Sequence, residues 1–259
     1  MAELNGVPVT PDELKALALV NYGHFTSMRM EDQHIRGFSH HLERLARDCR
    51  VLFGQELDRQ QVRDYVRQAT AGRDGAFVVR VTIYDPDLEL GHPGARAEPK
   101  VLVTTRPSGT WPMSPMRVQS VPYMRELPEQ KHVGLFGALW HRRNAQLDGF
   151  DDCVFTDPEL YVSEGATWNI GFFDGQQVIW PNAEVLQGVT MRLLHQVHDA
   201  TSLGPVNLAD LPRMEAAFAT NTAIGVRAIT GINEVEFPDA HPILETLRKE
   251  YEEIPAEAV

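Results

Sequence analysis

Helical and strand periods follow one another irregularly along this chain, and that order restricts the fold more than any other feature. Thr10-Pro11-Asp12-Glu13 reads as a capping box with proline in the first helical turn, opening a short helix through Val20. Strand-type residues run from Gly23 to Met30. Ser39 is then expected to cap a helix whose Leu42, Leu45, Cys49 and Leu52 recur at helical spacing as far as Gly54. Asp58 to Ala71 repeats the pattern, with Val62, Tyr65, Val66 and Ala69 on one face. Two β-rich runs follow, Ala76 to Tyr84 and Val101 to Thr105, separated by a Gly/Pro loop at Gly91 to Gly94. Helices in succession and then strands in succession are not the βαβ alternation of a doubly wound sheet, so the expectation is a mixed α and β (α+β) fold.

The segment Arg106-Pro107-Ser108-Gly109-Thr110-Trp111-Pro112 has the composition of a linker. With 259 residues to distribute, it predicts a small N-terminal domain over 1–111 and a larger one over 112–259. The second half opens with extended chain near Met116 to Val121 and around Lys131, then a helix bearing apolar Val133, Phe136, Trp140 and Leu147 and ending at Gly149. Short strands are expected at Cys153 to Thr156, Leu160 to Ser163 and Asn169 to Phe173, the last turning at Asp174-Gly175 into Gln177 to Trp180. Helices are expected after Gly188, after Asp210, and from about His241 to Glu252.

Charge and cysteine usage remove several classes of function. The 24 Lys and Arg against 36 Asp and Glu give a net charge of −12, without any basic run, which opposes nucleic-acid binding. No apolar stretch approaches the roughly 18 residues of a membrane span, and Arg80 breaks the best candidate. The N-terminal residues lack the pattern of a signal peptide, so a soluble, cytoplasmic protein is expected. Cys49 and Cys153 form neither a Cys-x-x-Cys pair nor a zinc set, and His195 and His198, one helical turn apart, have no third ligand fixed beside them; no metal is expected. A Gly-x-Ser-x-Gly elbow is absent. These exclusions leave a small molecule as the expected partner.

Lysine is scarce: Lys15, Lys100, Lys131 and Lys249 are the whole supply. Lys131, in Leu127-Pro128-Glu129-Gln130-Lys131-His132-Val133-Gly134, stands between an extended stretch and a Gly-bearing apolar helix start. Partial desolvation there disfavours the charged amine and makes a nucleophile; the alternative is a snorkelling surface lysine. Downstream, Glu164-Gly165-Ala166-Thr167-Trp168-Asn169 sets a carboxylate before small residues between two strands. Leu186-Gln187-Gly188-Val189-Thr190 is a glycine turn at a helix start, suited to phosphate, and Ala219-Thr220-Asn221-Thr222-Ala223 is a second such turn.

This series, lysine, Glu-Gly-Ala-x-x-Asn, Leu-x-Gly-Val-Thr and Thr-Asn-Thr-Ala, resembles the class IV pyridoxal-phosphate aminotransferases over about Asn21 to Phe237. That family includes branched-chain and D-amino-acid aminotransferases and aminodeoxychorismate lyase. The resemblance implies the two-domain fold type IV, with pyridoxal 5'-phosphate in an interdomain cleft, and a homodimer. It implies that Lys131 carries the Schiff base and shuttles a proton, that Glu164 faces the pyridine nitrogen, that the backbone of Val189 and Thr190, the side chain of Thr222 and Arg44 bind the cofactor phosphate, and that Gly188 and Asn221 are further cofactor-binding residues. Spacing alone leaves Arg44 open to a solvated helical position. Substrate positions would include Thr26, Arg29, Arg80 and Ala223. Arg80, inside an apolar strand, either meets an anion or points outward by alternation.

The activity implied is amino-group transfer between an amino acid and a 2-oxo acid. Carbon–carbon lysis releasing pyruvate is the alternative, favoured by Thr26, where branched-chain enzymes carry glutamate, and by the missing tyrosine after Lys131. A silent cofactor-binding module is the third reading, motivated by Met191 where a basic residue is usual and Gly171 where an aromatic is usual.

Overall fold

A computed structural model describes residues 2–259. The chain divides into two compact units. The first comprises the segment up to Ser108 with Gln130–Gly134 and Pro255–Val259; the second comprises Gly109–Glu129 and Leu135–Ile254. The linker marks the main division, but the lysine segment and the C-terminus return to the first unit, which a continuous cut at 111 does not anticipate.

The first unit contains β1 (Ala2–Leu4), β2 (Val7–Pro8), α1 (Pro11–Leu19), β3 (His24–Glu31), β4 (His34–Arg36), α2 (Phe38–Phe53), α3 (Arg59–Thr70), β5 (Ala76–Tyr84) and β6 (Lys100–Pro107). Its sheet is seven-stranded, in the order C-terminal strand Ala256–Ala258, β4, β3, β5, β6, β1, β2, antiparallel throughout. One face is covered by α2 and α3, whose Leu42, Leu45, Cys49, Val62 and Val66 pack on Met28, Met30, Val79, Val81 and Val103. Full burial of each such side chain is worth roughly 1.5–3 kcal/mol. Strand alternation sends Phe25, Ser27, Arg29, Val78 and Arg80 to the other face.

Thr10 and Glu13 form the expected capping box on α1, and Asp58 caps α3. Ser39 does not cap α2. Gly37 does, at φ 66, and Ser39 lies in the first turn with its backbone N–H on the Glu257 carboxylate at 3.1 Å. The C-terminal strand thus supplies the negative charge that a helix N-terminus favours.

The second unit contains β7 (Met116–Pro122), α4 (Phe136–Leu147), β8 (Asp152–Thr156), β9 (Val162–Gly165), β10 (Asn169–Phe173), β11 (Val178–Pro181), α5 (Val189–Val197), β12 (Thr201–Gly204), a 3₁₀ turn at Leu208–Arg213, β13 (Ala216–Asn221), β14 (Gly225–Ile232), β15 (Val235–Glu236) and α6 (Pro242–Glu253). The sheet order is β12, β11, β10, β13, β14, β7, β8, β9, with β15 beside β14.

Three expectations fail here for identifiable reasons. No helix follows Asp210: Asn207 caps a single 3₁₀ turn, and the alanine-rich stretch after it is β13. Its Ala217 and Ala219 enter one core while Ala216 and Phe218 enter another, so burial on both faces overrides alanine's helical preference. The α4 helix is present but begins at Phe136, so Val133 lies outside it with its N–H on the Gly23 carbonyl; it buries Ala138 and Ala145 and leaves Phe136 (80%), Leu147 (68%) and Trp140 (50%) exposed. Finally, Glu164 lies within β9, which begins and ends two residues later than the strand expected at Leu160 to Ser163.

Both departures from the family pattern are packing solutions. Gly171 faces Phe218 across the β10–β13 pair, and a Cβ on Gly171 would fall 2.4 Å from that ring. Met191 is buried in the core between α5 and α6. Both cysteines are free and buried, and burial pushes the Cys49 thiol up to about 11 and the Cys153 thiol up to about 12. Among the described residues no helix is long and apolar enough to cross a membrane.

Candidate functional site

In the first unit, Lys131 is held through its backbone. Its N–H donates to Asp48 Oδ2 at 3.0 Å, and its C=O accepts from Phe25 N at 2.9 Å. Val133 N donates to Gly23 O at 2.9 Å, so residues 131–133 run beside the start of β3. Gly23 must be glycine, because a Cβ would lie 2.6 Å from the Ile83 carbonyl oxygen. Asp48 is 1% exposed, and its Oδ1 is held by Arg47 Nε at 3.0 Å and Nη2 at 2.8 Å. The Lys131 Nζ lies 5.0 Å from the Phe25 ring centroid. Segment and helix are therefore joined by a charge-assisted hydrogen bond that the sequence reading did not foresee.

Beside this clamp, Arg44 Nη2 donates to Thr26 Oγ1 at 2.7 Å, and Thr26 Oγ1 is 2.6 Å from His41 Nδ1. The guanidinium can only donate, so the Thr26 hydroxyl accepts from Arg44 and, with its second lone pair or its proton, meets His41 Nδ1. Burial holds His41 well below the usual histidine range, burial pushes His24 down to about 3, and burial lowers Arg44 to about 10. Arg44 Nε, His41 Nε2 and both ring nitrogens of His24 are buried without a protein partner. Arg44 is thus a buried cation and not a solvated helix residue. Unmet donors at that depth cost free energy unless an acceptor completes them.

Arg80 faces away from α2 and α3, on the side of Phe25. Its guanidinium lies 3.6 Å from the Phe25 ring centroid, and its Nε donates to Thr82 Oγ1 at 3.2 Å. Arg29 shares that face, with Glu31 at 4.0 Å. Strand alternation thus separates two groups of candidates: Thr26 and Arg44 toward α2, and Arg29 and Arg80 on the opposite face.

In the second unit, Glu164 Oε1 accepts from Arg125 Nε at 2.7 Å, with both side chains almost fully buried. Arg125 also donates to the Pro128 carbonyl. Arg125 was not singled out from the sequence; it stands six positions before Lys131, an isolated charge with no periodic signal.

The motifs around Asn169 and Gly188 meet directly. Asn169 Nδ2 donates to Leu186 O at 2.7 Å, and Gly188 N donates to Asn169 Oδ1 at 3.0 Å. A Cβ on Gly188 would approach that oxygen to 2.3 Å, which accounts for the glycine. The turn delivers the chain into α5, whose first N–H groups, at Val189 and Thr190, have no intrahelical partner.

The Asn221 region is the hairpin between β13 and β14 and not a helix start. Asn221 Oδ1 accepts from Ala223 N at 2.8 Å and Ile224 N at 3.0 Å, while its Nδ2 donates to Thr167 O at 3.1 Å. Trp111 Nε1 donates to Ala223 O at 2.8 Å, so both backbone groups of Ala223 are engaged within the turn. Thr222 is half-buried at its tip. Nearby, the buried Thr220 hydroxyl has no protein partner.

His195 and His198 bind no common group: His195 Nδ1 is 3.0 Å from Thr201 Oγ1, and His198 pairs with Glu250 at 3.0 Å. Among the described residues no cluster of three or more His, Cys, Asp or Glu is arranged for a metal.

A family model described as amino-transferase class IV matches residues 23–232. A protein named probable branched-chain-amino-acid aminotransferase from Rickettsia felis is 30% identical over 125 residues, 44% of this chain and 42% of that protein. The match therefore spans less than half the length of that relative. Among solved structures, a branched-chain aminotransferase from the thermophilic archaeon Thermoproteus uzoniensis with norvaline superposes with a TM-score of 0.84 at 18% identity, covering 97% of this chain and 93% of the other. A hypothetical aminotransferase from Mycobacterium tuberculosis in its PLP-bound form gives 0.81 at 17% identity, covering 97% of both. At such identities these likenesses establish the fold, which is that of the fold type IV enzymes.

Proposed function

Because the chain belongs to the class IV aminotransferase family, we propose that it is a pyridoxal-phosphate-dependent aminotransferase acting between an amino acid and a 2-oxo acid. The observation that carries this reading is Lys131 clamped by Asp48 and β3 beside the buried Arg44, Thr26 and His41 cluster. The residues present fit the cofactor in each unit taken by itself: in the first, Arg44 Nε is a buried donor without a protein partner, and in the second so is Thr220 Oγ1, groups whose natural complement is an anionic oxygen. When bound, pyridoxal phosphate supplies an electron sink for the bonds at the substrate α-carbon.

Lys131 is the attachment point, and its amine moves the proton at that carbon. Glu164, fixed by Arg125, holds a proton at the pyridine nitrogen, because a carboxylate there favours the cation. In the second unit Gly188, Val189 and Thr190 offer helix N-terminal N–H groups to phosphate, with Asn169 setting their direction, and Asn221 and Thr222 are the further cofactor-binding residues there; in the first unit Arg44 is the phosphate-binding arginine that the family resemblance implies.

A specific observation keeps the carbon–carbon lyase as second reading: Thr26, the residue that sets this chain apart from branched-chain enzymes, is held by both Arg44 and His41. The loaded protein is to be given L- and D-amino acids with and without a 2-oxo acid acceptor. For the aminotransferase, an amino acid bleaches the visible cofactor band and the acceptor restores it. Repeated turnover of added aminodeoxychorismate to pyruvate without any acceptor overturns that reading in favour of the lyase, and a band that no substrate changes favours a silent module.

The exposed Phe136, Trp140 and Leu147 of α4 support assembly as a homodimer, since a contiguous apolar stripe is costly in water. Sedimentation equilibrium at micromolar concentration is expected to give twice the chain mass of 29.1 kDa; a monomer mass rules the assembly out. A cytoplasmic location goes with this reading, in keeping with two buried, unpaired thiols.

A further inference from the structure

Arg44 and Asp48 stand four residues apart on α2, on one face of the helix and about 6 Å apart along its axis. Each grips a different part of the first unit. Arg44 Nη2 holds the Thr26 hydroxyl on β3, and Asp48 Oδ2 holds the Lys131 N–H. Phe25, next to Thr26, donates its own N–H to the Lys131 carbonyl at 2.9 Å. The contacts close a circuit: helix to lysine segment, lysine segment to strand, and strand back to the helix one turn earlier.

Within that circuit the Lys131 Cα is located from both sides, because its N–H is tied to α2 and its C=O to β3. Only the side-chain torsions remain to be set. Arg47 fixes the Asp48 carboxylate in its turn: Nε and Nη2 both bond Oδ1, at 3.0 and 2.8 Å, which leaves Oδ2 for the lysine N–H. The same carboxylate is the charge that opposes the effect of burial on Arg44.

A neutral acceptor would be enough to satisfy a buried N–H, and a carboxylate that is 1% exposed carries a desolvation cost that a carbonyl does not. What the charge adds is a bond roughly twice as strong as a neutral one, made to a loop residue that belongs to neither helix nor strand. At a reacting group such precision matters, since a misplacement of about 1 Å costs on the order of 100-fold in rate.

We propose that Asp48 is the positioning residue for Lys131: its carboxylate fixes the main chain of the lysine one helical turn from Arg44, so that α2 sets the separation between the amine and the anion-binding arginine. The proposal rests on the aminotransferase reading for what the amine does, while the clamp itself stands on the hydrogen bonds alone. Neither the motifs nor the family resemblance singles out Asp48.

Hydrogen exchange on the whole protein without added cofactor reads the clamp directly. In Asp48→Ala the Lys131 amide is expected to exchange roughly 10- to 100-fold faster than in the parent, the scale of a hydrogen bond to a charged group, while the amides of β5 keep their rates. Asp48→Asn keeps an acceptor oxygen of the same shape, and the half-exposed Arg47 is able to turn to water. Its Lys131 amide is expected within about fivefold of the parent, the difference between a charged and a neutral acceptor.

The second readout is the reactivity of the lysine. Pyridoxine 5'-phosphate, which has the phosphate but no aldehyde, is expected to bind the parent and Asp48→Ala with comparable affinity, because Arg44 is retained. The rate at which pyridoxal phosphate becomes fixed to Lys131, read by borohydride trapping and peptide mapping, is expected to fall on the order of 100-fold in Asp48→Ala and to be largely restored in Asp48→Asn. Exchange at Lys131 that does not quicken in Asp48→Ala overturns the proposal. So does exchange that quickens equally across α2, β3 and β5, which marks lost stability and not lost position. Asp48→Asn trapping as slowly as Asp48→Ala, or pyridoxine phosphate affinity falling in step with the trapping rate, overturns it as well. A parent that takes no label at Lys131 defeats the aminotransferase reading, and the exchange rates then decide the clamp by themselves.

Discussion

Replacing Lys131 with alanine is expected to give a folded protein that no longer retains pyridoxal phosphate covalently. In the parent, borohydride should fix a pyridoxyl group on the peptide that contains Lys131. In Lys131→Ala no peptide should carry it, although Lys15, Lys100 and Lys249 remain. Amino-group transfer should fall by at least roughly 10²–10⁴-fold, the contribution of a positioned proton-transfer group alone. The fold should survive because the segment is held by main-chain groups: Lys131 N on Asp48 and Lys131 O on Phe25 N do not depend on the side chain. A shift in Tm of only a few degrees would separate chemistry from stability. A borohydride label that persists on the alanine variant would show that the wrong lysine has been assigned.

The reason Lys131 was legible while its clamp was not lies in the range of the contacts. Scarcity and local context single out this lysine, just as Thr10 with Glu13 and Asp58 announce their helices from within three residues. Asp48 bonds to a residue 83 positions away, and Arg125 to one 39 positions away. No periodicity in the intervening sequence encodes either. Asn169 and Gly188 stand in between: each motif is visible alone, but the hydrogen bond that makes one shape the other appears only when β10 and the turn before α5 meet.

The failures have the same origin. Phe136, Trp140 and Leu147 recur along α4 as a stripe would, but periodicity does not say whether a stripe turns toward its own core or away from it. Ala216 to Ala219 reads as helix because alanine prefers helix; a strand buried on both sides needs small residues, and Gly171 opposite Phe218 is the same constraint seen from the next strand. That Arg29 and Arg80 lie together on one sheet face depends wholly on register, which shared-face arithmetic yields only after the pairing is known.

Removing Arg125 should have the largest effect on stability. Arg125 and Glu164 are 9% and 6% exposed, with Nε and Oε1 2.7 Å apart. Arg125→Ala leaves a carboxylate at that depth without its guanidinium and takes a donor from the Pro128 carbonyl. Breaking a buried pair from one side costs about 3–5 kcal/mol, more than the pair itself contributes. Glu164→Gln in the Arg125→Ala background should recover much of that loss, because it removes the buried charge that has lost its guanidinium. Arg142→Ala supplies the contrast. Its partner Asp152 also accepts from Trp168 Nε1 at 2.9 Å and Cys153 N at 2.8 Å, so the carboxylate keeps two donors and the loss should be clearly smaller. Urea unfolding of these three variants beside the parent measures all of this. An Arg125→Ala cost within about 1 kcal/mol of that of Arg142→Ala would mean that water reaches Glu164 once the arginine is gone. The carboxylate could then no longer be regarded as held dry and fixed in direction, which is what its assigned role at the pyridine nitrogen requires.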